Sequence, residues 1–455
     1  MGDGVYNDMK VCFATYDLPH IGGGTIFLER LLPILQMAGI EPEVHAMGRG
    51  GKPGLHCTFL KEQGIPVHWT PLLMHVPYAV RSLLRLLEEG QPDIYVPFFV
   101  LPAYYAAGYA RRAGIPTVGT MLSDEPYFSG IVDEFVNGDP NFRLSAITPC
   151  STFLESQASS AAAAPGVIVR RIACGVPIPA RTAEPAGPVF RLVYTGRLVE
   201  EAKRISDVVR ALCAAAQNIP NLEAWMTGDG DARPAVEAII REKGMGARVR
   251  LLGRVDSVYD VLAQCHGLVL LSDYEGLPTS VLEAMATGVV PICLDTRSGV
   301  REAIEHGVNG LIVKDRGVDF LAAVRGLQSD PAKWQQLSLA ARETALKRYS
   351  VEETARQWVD LLEHLFVRKP ARAGFPAFGT LRLPPPNPKF GIYGASLPWH
   401  KRTEDYIKTV PPLYRMARAA VAVRRKVKSQ GADYFKKPAM LVSPSVCREP
   451  SRSRD

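Results

Sequence analysis

The chain has 455 residues, 47% of them hydrophobic, enough for two or three domains with sizeable cores. Its net charge of +7 is unevenly placed: from Lys401 onward 14 Lys/Arg face 5 Asp/Glu, and the rest of the chain is net −2, which excludes a basic surface over the folded body. The 8 Cys show no Cys-x-x-Cys and no regular spacing, and Cys12, Cys174, Cys213, Cys265 and Cys293 sit in apolar surroundings, so they read as reduced core thiols of a cytosolic protein and argue against a structural zinc site.

Residues 1–9 are polar and acidic, without the apolar region of a secretory signal. Residues 9–16 read as a first strand and 25–38 as a helix with Thr25 as its N-cap. Strands follow at 43–47, 65–69, 94–99, 117–121 and 145–148. The longest run without charge or histidine, 94–110, contains Pro97 and Pro102 and falls short of a membrane span, so it reads as a strand followed by a helix. Proline density and lost periodicity at 176–188 mark a linker. The pattern then restarts with a strand at 190–194, a helix at 205–215, and strands at 222–227, 249–252, 268–271, 290–294 and 310–313. Strands alternating with helices predict parallel, doubly wound sheets, here two in tandem, with a ligand in the cleft at the carboxyl ends of the strands. A helical stretch covers 331–366. Residues 370–400 are rich in Pro and Gly and predict an extended strap or disorder. Residues 412–428 return to helical spacing, with Leu413, Met416, Ala420, Val423 and Val427 on one side and Arg415, Arg418 and Arg425 elsewhere. The end, 438–455, reads as disordered.

The segment Ser272-Asp273-Tyr274-Glu275-Gly276-Leu277-Pro278-Thr279-Ser280-Val281-Leu282-Glu283-Ala284 carries the most information. It sets Glu275 and Glu283 on either side of a strand-to-helix turn, with the strand at 267–271 and the helix at 281–287 ending at Gly288. A helix N-terminus at the carboxyl end of a parallel strand favours a phosphate through its free N–H groups and dipole. Two carboxylates beside it suit a ligand that also carries hydroxyls, as a nucleotide-sugar does. A bland reading competes: Ser280 and Glu283 fit a capping box, in which Glu283 only closes the helix start.

Five motifs in order now resemble a known family. Thr195-Gly196-Arg197-Leu198 with Lys203 resembles a basic pyrophosphate pair. Thr227-Gly228-Asp229-Gly230 resembles a Gly-rich turn, and Leu252-Gly253-Arg254-Val255 a turn near the nucleobase. Glu275 and Glu283 fit a two-glutamate motif. Gly299 to Glu302 with Gly307-Val308-Asn309-Gly310 resembles its ending. Gly22-Gly23-Gly24 after the first strand and Cys174-Gly175-Val176-Pro177 at the linker also match. Together they resemble the retaining glycosyltransferases of family 4, over residues 9–366. The resemblance implies an α/β GT-B fold: two Rossmann-like βα domains facing a central cleft, with a C-terminal extension. The expected division is 9–178 on the acceptor side, a linker at 179–188, 189–345 for the nucleotide-sugar, a helix at 346–369 packing back on the first domain, a strap at 370–411, and a basic helix and tail at 412–455.

The resemblance also implies roles. Arg197 and Lys203 hold the diphosphate and stabilise its charge as the glycosidic bond breaks. Glu283 holds ribose hydroxyls, and Glu275 contacts the donor sugar together with the N–H groups of Gly276 and Leu277. Gly228, Arg254, Thr279, Ser280, Gly23 and Gly24 complete the donor site. No cofactor and no metal are expected beside the nucleotide-sugar. There is one departure: the His that many members place after a first-domain strand aligns with Leu122. Asp124 is the candidate substitute contact, against a cap or turn role. His20 reads as a loop residue. The expected activity is transfer of a hexosyl group from a UDP- or GDP-linked sugar to a hydroxyl acceptor. The rivals are a non-catalytic sugar-nucleotide binder, an epimerase and, last, a phosphorylase. The helix at 412–428 has two readings, contact with an anionic membrane at the inner face or packing on the enzyme with its arginines exposed. Nucleic-acid binding is not expected, because no aromatics interleave the basic residues.

Overall fold

The computed structural model describes residues 9–17, 22–49, 52–161, 166–296, 299–375, 381–385, 387–394, 399–409, 413 and 416. The predicted alternation of strand and helix is present throughout. The first half runs β1 (Met9–Asp17), α1 (Gly23–Met37), β2 (Ile40–Gly48), α2 (Leu55–Glu62), β3 (Val67–Pro71), α3 (Val76–Gly90), β4 (Ile94–Pro97), α4 (Leu101–Arg112), β5 (Val118–Met121), α5 (Pro126–Val132), β6 (Ala146–Pro149), α6 (Thr152–Ala161) and β7 (Ile168–Val169). The strand orders are β3-β2-β1-β4 and β5-β6-β7, and a parallel bridge from Tyr95 to Thr117 joins the two sets.

The second half repeats the plan: β8 (Phe190–Thr195), α7 (Ile205–Asn218), β9 (Leu222–Thr227), α8 (Arg233–Glu242), β10 (Val249–Gly253), α9 (Val258–Leu262), β11 (Gly267–Leu270), α10 (Thr279–Thr287), β12 (Val290–Leu294), α11 (Val300–Ala303), β13 (Leu311–Val313) and α12 (Val318–Ser329). Its parallel sheet has the order β10-β9-β8-β11-β12-β13. The order reverses between β8 and β11, which opens a crevice at their carboxyl ends. β4, β5, β11 and β12 are buried along their whole length, as expected of parallel strands covered by helices on both faces.

Two helices end this part, α13 (Pro331–Arg348) and α14 (Val351–Val367). The predicted single helical stretch is broken at Ser350, the N-cap of α14, whose hydroxyl accepts from Glu353 N–H at 3.2 Å. A Ser-x-x-Glu capping signal is therefore used here. α14 crosses back to the first sheet: Trp358 is fully buried with its ring 6.3 Å from Phe13, and Thr354 Oγ1 donates to Ala173 O at 3.0 Å. Truncating such an aromatic costs about 3–5 kcal/mol. The linker lies along the second domain, with Ala183 N–H donating to Thr287 O and an Arg342 nitrogen to Pro179 O. Beyond α14 the chain runs along the first domain, where Ala373 N–H donates to Ala113 O, Tyr109 Oη to Arg382 O, and Phe390 packs by Tyr127 and Phe135.

The structure departs from the predicted elements at three points. Thr25 does not cap α1; Gly22 is the N-cap, and α1 starts at Gly23. The capping box at Ser280 and Glu283 does not form, because α10 starts at Thr279 with Pro278 as N-cap and no side-chain cap. The strap predicted to reach residue 411 contains a helix, α15 (Trp399–Thr409), which makes its own Lys408–Asp405 pair at 3.1 Å. That stretch holds neither Pro nor Gly, so nothing in it opposes a helix. His20 and, apart from residues 413 and 416, the tail at 412–455 lie outside the described residues. No described helix is long and apolar enough to cross a membrane.

Candidate functional site

Two glycine turns shape the floor of the crevice. Gly196 after β8 has φ 155° and Gly228 after β9 has φ 112°, and a Cβ on Gly228 would stand 1.9 Å from Gly196 O. Only glycine fits there. Gly228 N–H donates to Gly253 O at 2.7 Å and Leu198 N–H to Asp229 O at 3.1 Å, so the turns after β8, β9 and β10 are laced backbone to backbone. Arg197 follows Gly196 and is exposed, and among the described residues its guanidinium has no hydrogen-bond or ion-pair partner. Arg254 is exposed beside the same turns.

Lys203 reaches the crevice through a loop in which Ala202 and Arg204 both hold positive φ, 53° and 49°. Such residues cost about 1–3 kcal/mol each, so surrounding contacts must hold them. One is Asp273 N–H donating to Ala202 O at 2.8 Å. The loop lays Lys203 Nζ against Glu275 Oε1, and both side chains are mostly buried. Glu275 thus stands between a cation and the turn that leads into α10.

The N-terminus of α10 is open. The first turn returns Val281 N–H to Pro278 O, and the N–H groups of Thr279 and Ser280 precede any helical acceptor. Across from it lies the N-terminus of α1: a Cβ on Gly23 would stand 3.5 Å from Thr279 Oγ1. Gly24 is packed so that its Cβ would be 2.1 Å from the Phe99 ring. Two helix N-termini therefore converge at one point, and both dipoles favour an anion there. Glu283, on α10, is 9% exposed and accepts from Arg30 Nη2 of α1 at 2.5 Å. The buried Tyr259 hydroxyl lies close to this pair; burial raises its pKa, Arg30 works against that, and Glu283 adds to it.

Gly276 lies where the domains pack backbone to backbone, since a Cβ on it would stand 2.1 Å from Leu122 O. Its carbonyl accepts from Gly299 N–H at 2.6 Å. The Leu277 backbone, expected at the donor sugar, lies beside the Cys150 thiol. Asp124 Oδ1 accepts from Gln157 Nε2 at 2.9 Å. It is Glu125 that joins the crevice. Burial lifts its carboxyl above the ordinary range, Arg197 opposes that, and Glu201 and Glu275 reinforce it. Burial first, then Glu201, Glu125 and Glu275, raises the Tyr274 hydroxyl as well.

The structure thus brings together Arg197, Lys203, Glu275, Glu283, Gly228, Gly276, Thr279, Ser280 and Gly23, and ties Asp124 to α6. Sequence reasoning missed Arg30 and Glu125, and read Glu302 only as the glutamate of the Gly299 to Glu302 motif. Arg30 had a signal, because seven residues after Gly23 is the same face of a helix. Glu302 is buried and accepts from Thr152 N–H at 2.6 Å, Thr152 Oγ1 at 2.9 Å and Arg171 Nη1 at 2.9 Å, a second clasp between the domains. No sequence spacing announces that contact.

The chain is similar to known glycosyltransferases. Residues 189–330 match the family Glycosyl transferases group 1. The lipopolysaccharide core biosynthesis glycosyltransferase LpsD of Rhizobium meliloti is 25% identical over 291 residues, 61% of this chain and 77% of that protein. An exopolysaccharide phosphotransferase of Streptomyces coelicolor is 29% identical over 180 residues, 39% of this chain, and the match spans only 19% of that protein. Among solved structures, Anabaena HepE in complex with UDP has a TM-score of 0.65 at 19% identity, covering 78% of this chain and 100% of HepE. The chain therefore has the GT-B fold and carries a glycosyl transferases group 1 domain.

Proposed function

We propose that this protein is a retaining hexosyltransferase that moves a sugar from a UDP-linked donor to a hydroxyl of a glycan. The observation that carries this reading is the unpartnered Arg197 beside the Lys203–Glu275 pair, in front of two converging helix N-termini. Fixed cations and free N–H groups suit a diphosphate leaving group without a metal. Glu283 would take ribose hydroxyls through the lone pairs that Arg30 leaves open. Glu275 and Glu125 would face the donor sugar, Glu125 standing where the aligned histidine is replaced by Leu122. The acceptor oxygen would attack the anomeric carbon on the face the diphosphate leaves. The C–O bond to phosphate breaks as the new one forms, and the acceptor proton passes to the departing phosphate oxygen. Closure of the domains at Gly276 and Leu122 would keep water out. Support for UDP comes from HepE, solved with UDP and with UDP-glucose, and support for a glycan acceptor from LpsD.

Calorimetry against UDP, GDP, ADP and their sugars tests this. At about a hundred times its dissociation constant a ligand of the folded state raises stability by about 2.7 kcal/mol. Binding of UDP alone, lost in Arg197→Ala, is expected, and no response to any nucleotide rejects the donor site. Binding without turnover on any acceptor or on water would favour the non-catalytic reading, which Leu122 motivates. We also assign the basic tail to an anionic membrane surface at the cytoplasmic face, on its charge alone. Deleting 401–455 should then abolish binding to phosphatidylserine liposomes and spare UDP binding; undiminished liposome binding rejects it.

A further inference from the structure

We propose that the first domain holds a zinc-class divalent cation between Cys12, Glu43 and His45, a site independent of the transfer reaction. β1 and β2 run parallel with Cys12 opposite Glu43 and Ala14 opposite His45. Side chains two residues apart on a strand share a face, so Glu43 and His45 stand on the same face as Cys12. One soft and two harder ligand atoms, a sulfur, a carboxylate oxygen and an imidazole nitrogen, lie within 4.8 Å of one another. His45 Nε2 is 3.6 Å from Glu43 Oε1. Two ligands each about 2.1 Å from one tetrahedral ion are roughly 3.4 Å apart, so the pair needs only a small adjustment to share an ion.

A second observation points to a ligand. His45 is 1% exposed with its Nε2 toward Glu43, and among the described residues the buried Glu43 Oε1 that it faces has no hydrogen-bond partner. Buried polar atoms of this kind are ordinarily satisfied, and a bound cation satisfies a carboxylate and an imidazole together. The surroundings leave room: Ala14 stands opposite His45, and a Cβ on Gly90 at the end of α3 would come 3.1 Å from Glu43 Oε1. The Glu43 side chain is 15% exposed and gives an entry path. The exposed His68 packs edge-on to His45 at 5.4 Å between ring centroids. Thiolate with imidazole selects zinc over magnesium or calcium. Sequence spacing could not show this site, because its ligands meet across strand register and not within a Cys-x-x-Cys run.

The test is metal content of tag-free, full-length protein equilibrated with zinc and then dialysed. About one equivalent is expected in the wild type, falling at least tenfold in both Cys12→Ala and His45→Gln. Reconstitution with cobalt(II) should give sulfur-to-cobalt charge-transfer absorption in the near ultraviolet. Equal zinc in the wild type and both folded variants, or folded wild type that takes up no metal, overturns the proposal. If the variants do not fold, the wild-type cobalt spectrum decides alone, and cobalt bound without a sulfur band rejects the site. UDP binding is measured in parallel, and its presence or absence leaves the metal result intact.

Discussion

Arg197→Ala isolates the diphosphate part of the donor site. The side chain is exposed and, among the described residues, has no hydrogen-bond or ion-pair partner; its charge only offsets part of the burial that raises Glu125. Folding stability should therefore change by less than about 0.5 kcal/mol, as for other surface substitutions. The loss on binding follows from the same fact. The guanidinium is free to give its whole fork to a phosphate, and a hydrogen bond to a charged group contributes about 1.5–3 kcal/mol. At 1.4 kcal/mol per tenfold, the dissociation constant for the nucleoside diphosphate should rise about 10- to 150-fold. The matching nucleoside, which lacks phosphate, should bind within about twofold of wild type on the same reasoning. Titration calorimetry of both ligands against both proteins makes the comparison, with urea unfolding as the stability control. Equal losses for nucleoside and diphosphate would show that Arg197 shapes the pocket and does not read phosphate. A loss below threefold would remove it from the site.

Three further predictions test other parts of the crevice. Glu275→Ala should abolish transfer while nucleotide binding persists, and Glu283→Ala should weaken nucleotide binding about tenfold or more, as expected for a charged acceptor to ribose; wild-type turnover from the Glu275 variant refutes its role. Gly276→Ala sets a Cβ 2.1 Å from Leu122 O, so the domains must part by about 1 Å. A shift of that size should cut kcat about 100-fold and leave UDP affinity within threefold; unchanged kcat refutes closure at this contact. His266 is buried with Nδ1 accepting from Arg191 N–H at 2.8 Å, and burial first, then Arg191, lowers its pKa to about 4. It folds neutral, so its contribution is complete above about pH 6.5 and is lost as pH falls toward 4. Going from pH 7 to 5 should cost about 2 kcal/mol in wild type beyond the loss in His266→Asn, and identical pH dependence in urea unfolding refutes the assignment.

The fold was legible because each domain is built from local signals. Apolar runs such as Gly267–Leu270 sit between glycine and turn residues, and Gly288 ends α10 with φ 79°. The grouping of Arg197, Gly228, Glu275 and Glu283 at one crevice was legible, because motif and turn coincide there. It was not legible where two distant segments meet. Ser280-x-x-Glu283 and Ser350-x-x-Glu353 have the same spelling, yet only the second caps a helix. The difference is position: Ser350 is the N-cap of α14, whereas Ser280 lies inside α10 behind its N-cap Pro278, and Glu283 pairs with Arg30, 253 positions away. Likewise, Asp124 and Glu125 are adjacent carboxylates, and the choice between them was made by Gln157 on α6 and Arg197 on the second domain.

These contacts share a physical logic. Three carboxylates at the crevice already have a cation: Glu283 has Arg30, Glu275 has Lys203, and Glu302 has Arg171. An unpaired carboxylate buried here would repel a diphosphate and resist ionisation. Paired, the carboxylates keep free lone pairs for hydroxyls while their charge is offset. The one cation left unpaired, among those of the crevice that the structure describes, is Arg197. With two helix N-termini beside it, the crevice is set to receive negative charge at one end and hydroxyls along its carboxylates. Under the proposed function, that polarity would orient a nucleotide-sugar in a single direction, phosphate toward Arg197 and ribose toward Glu283, before any acceptor is present.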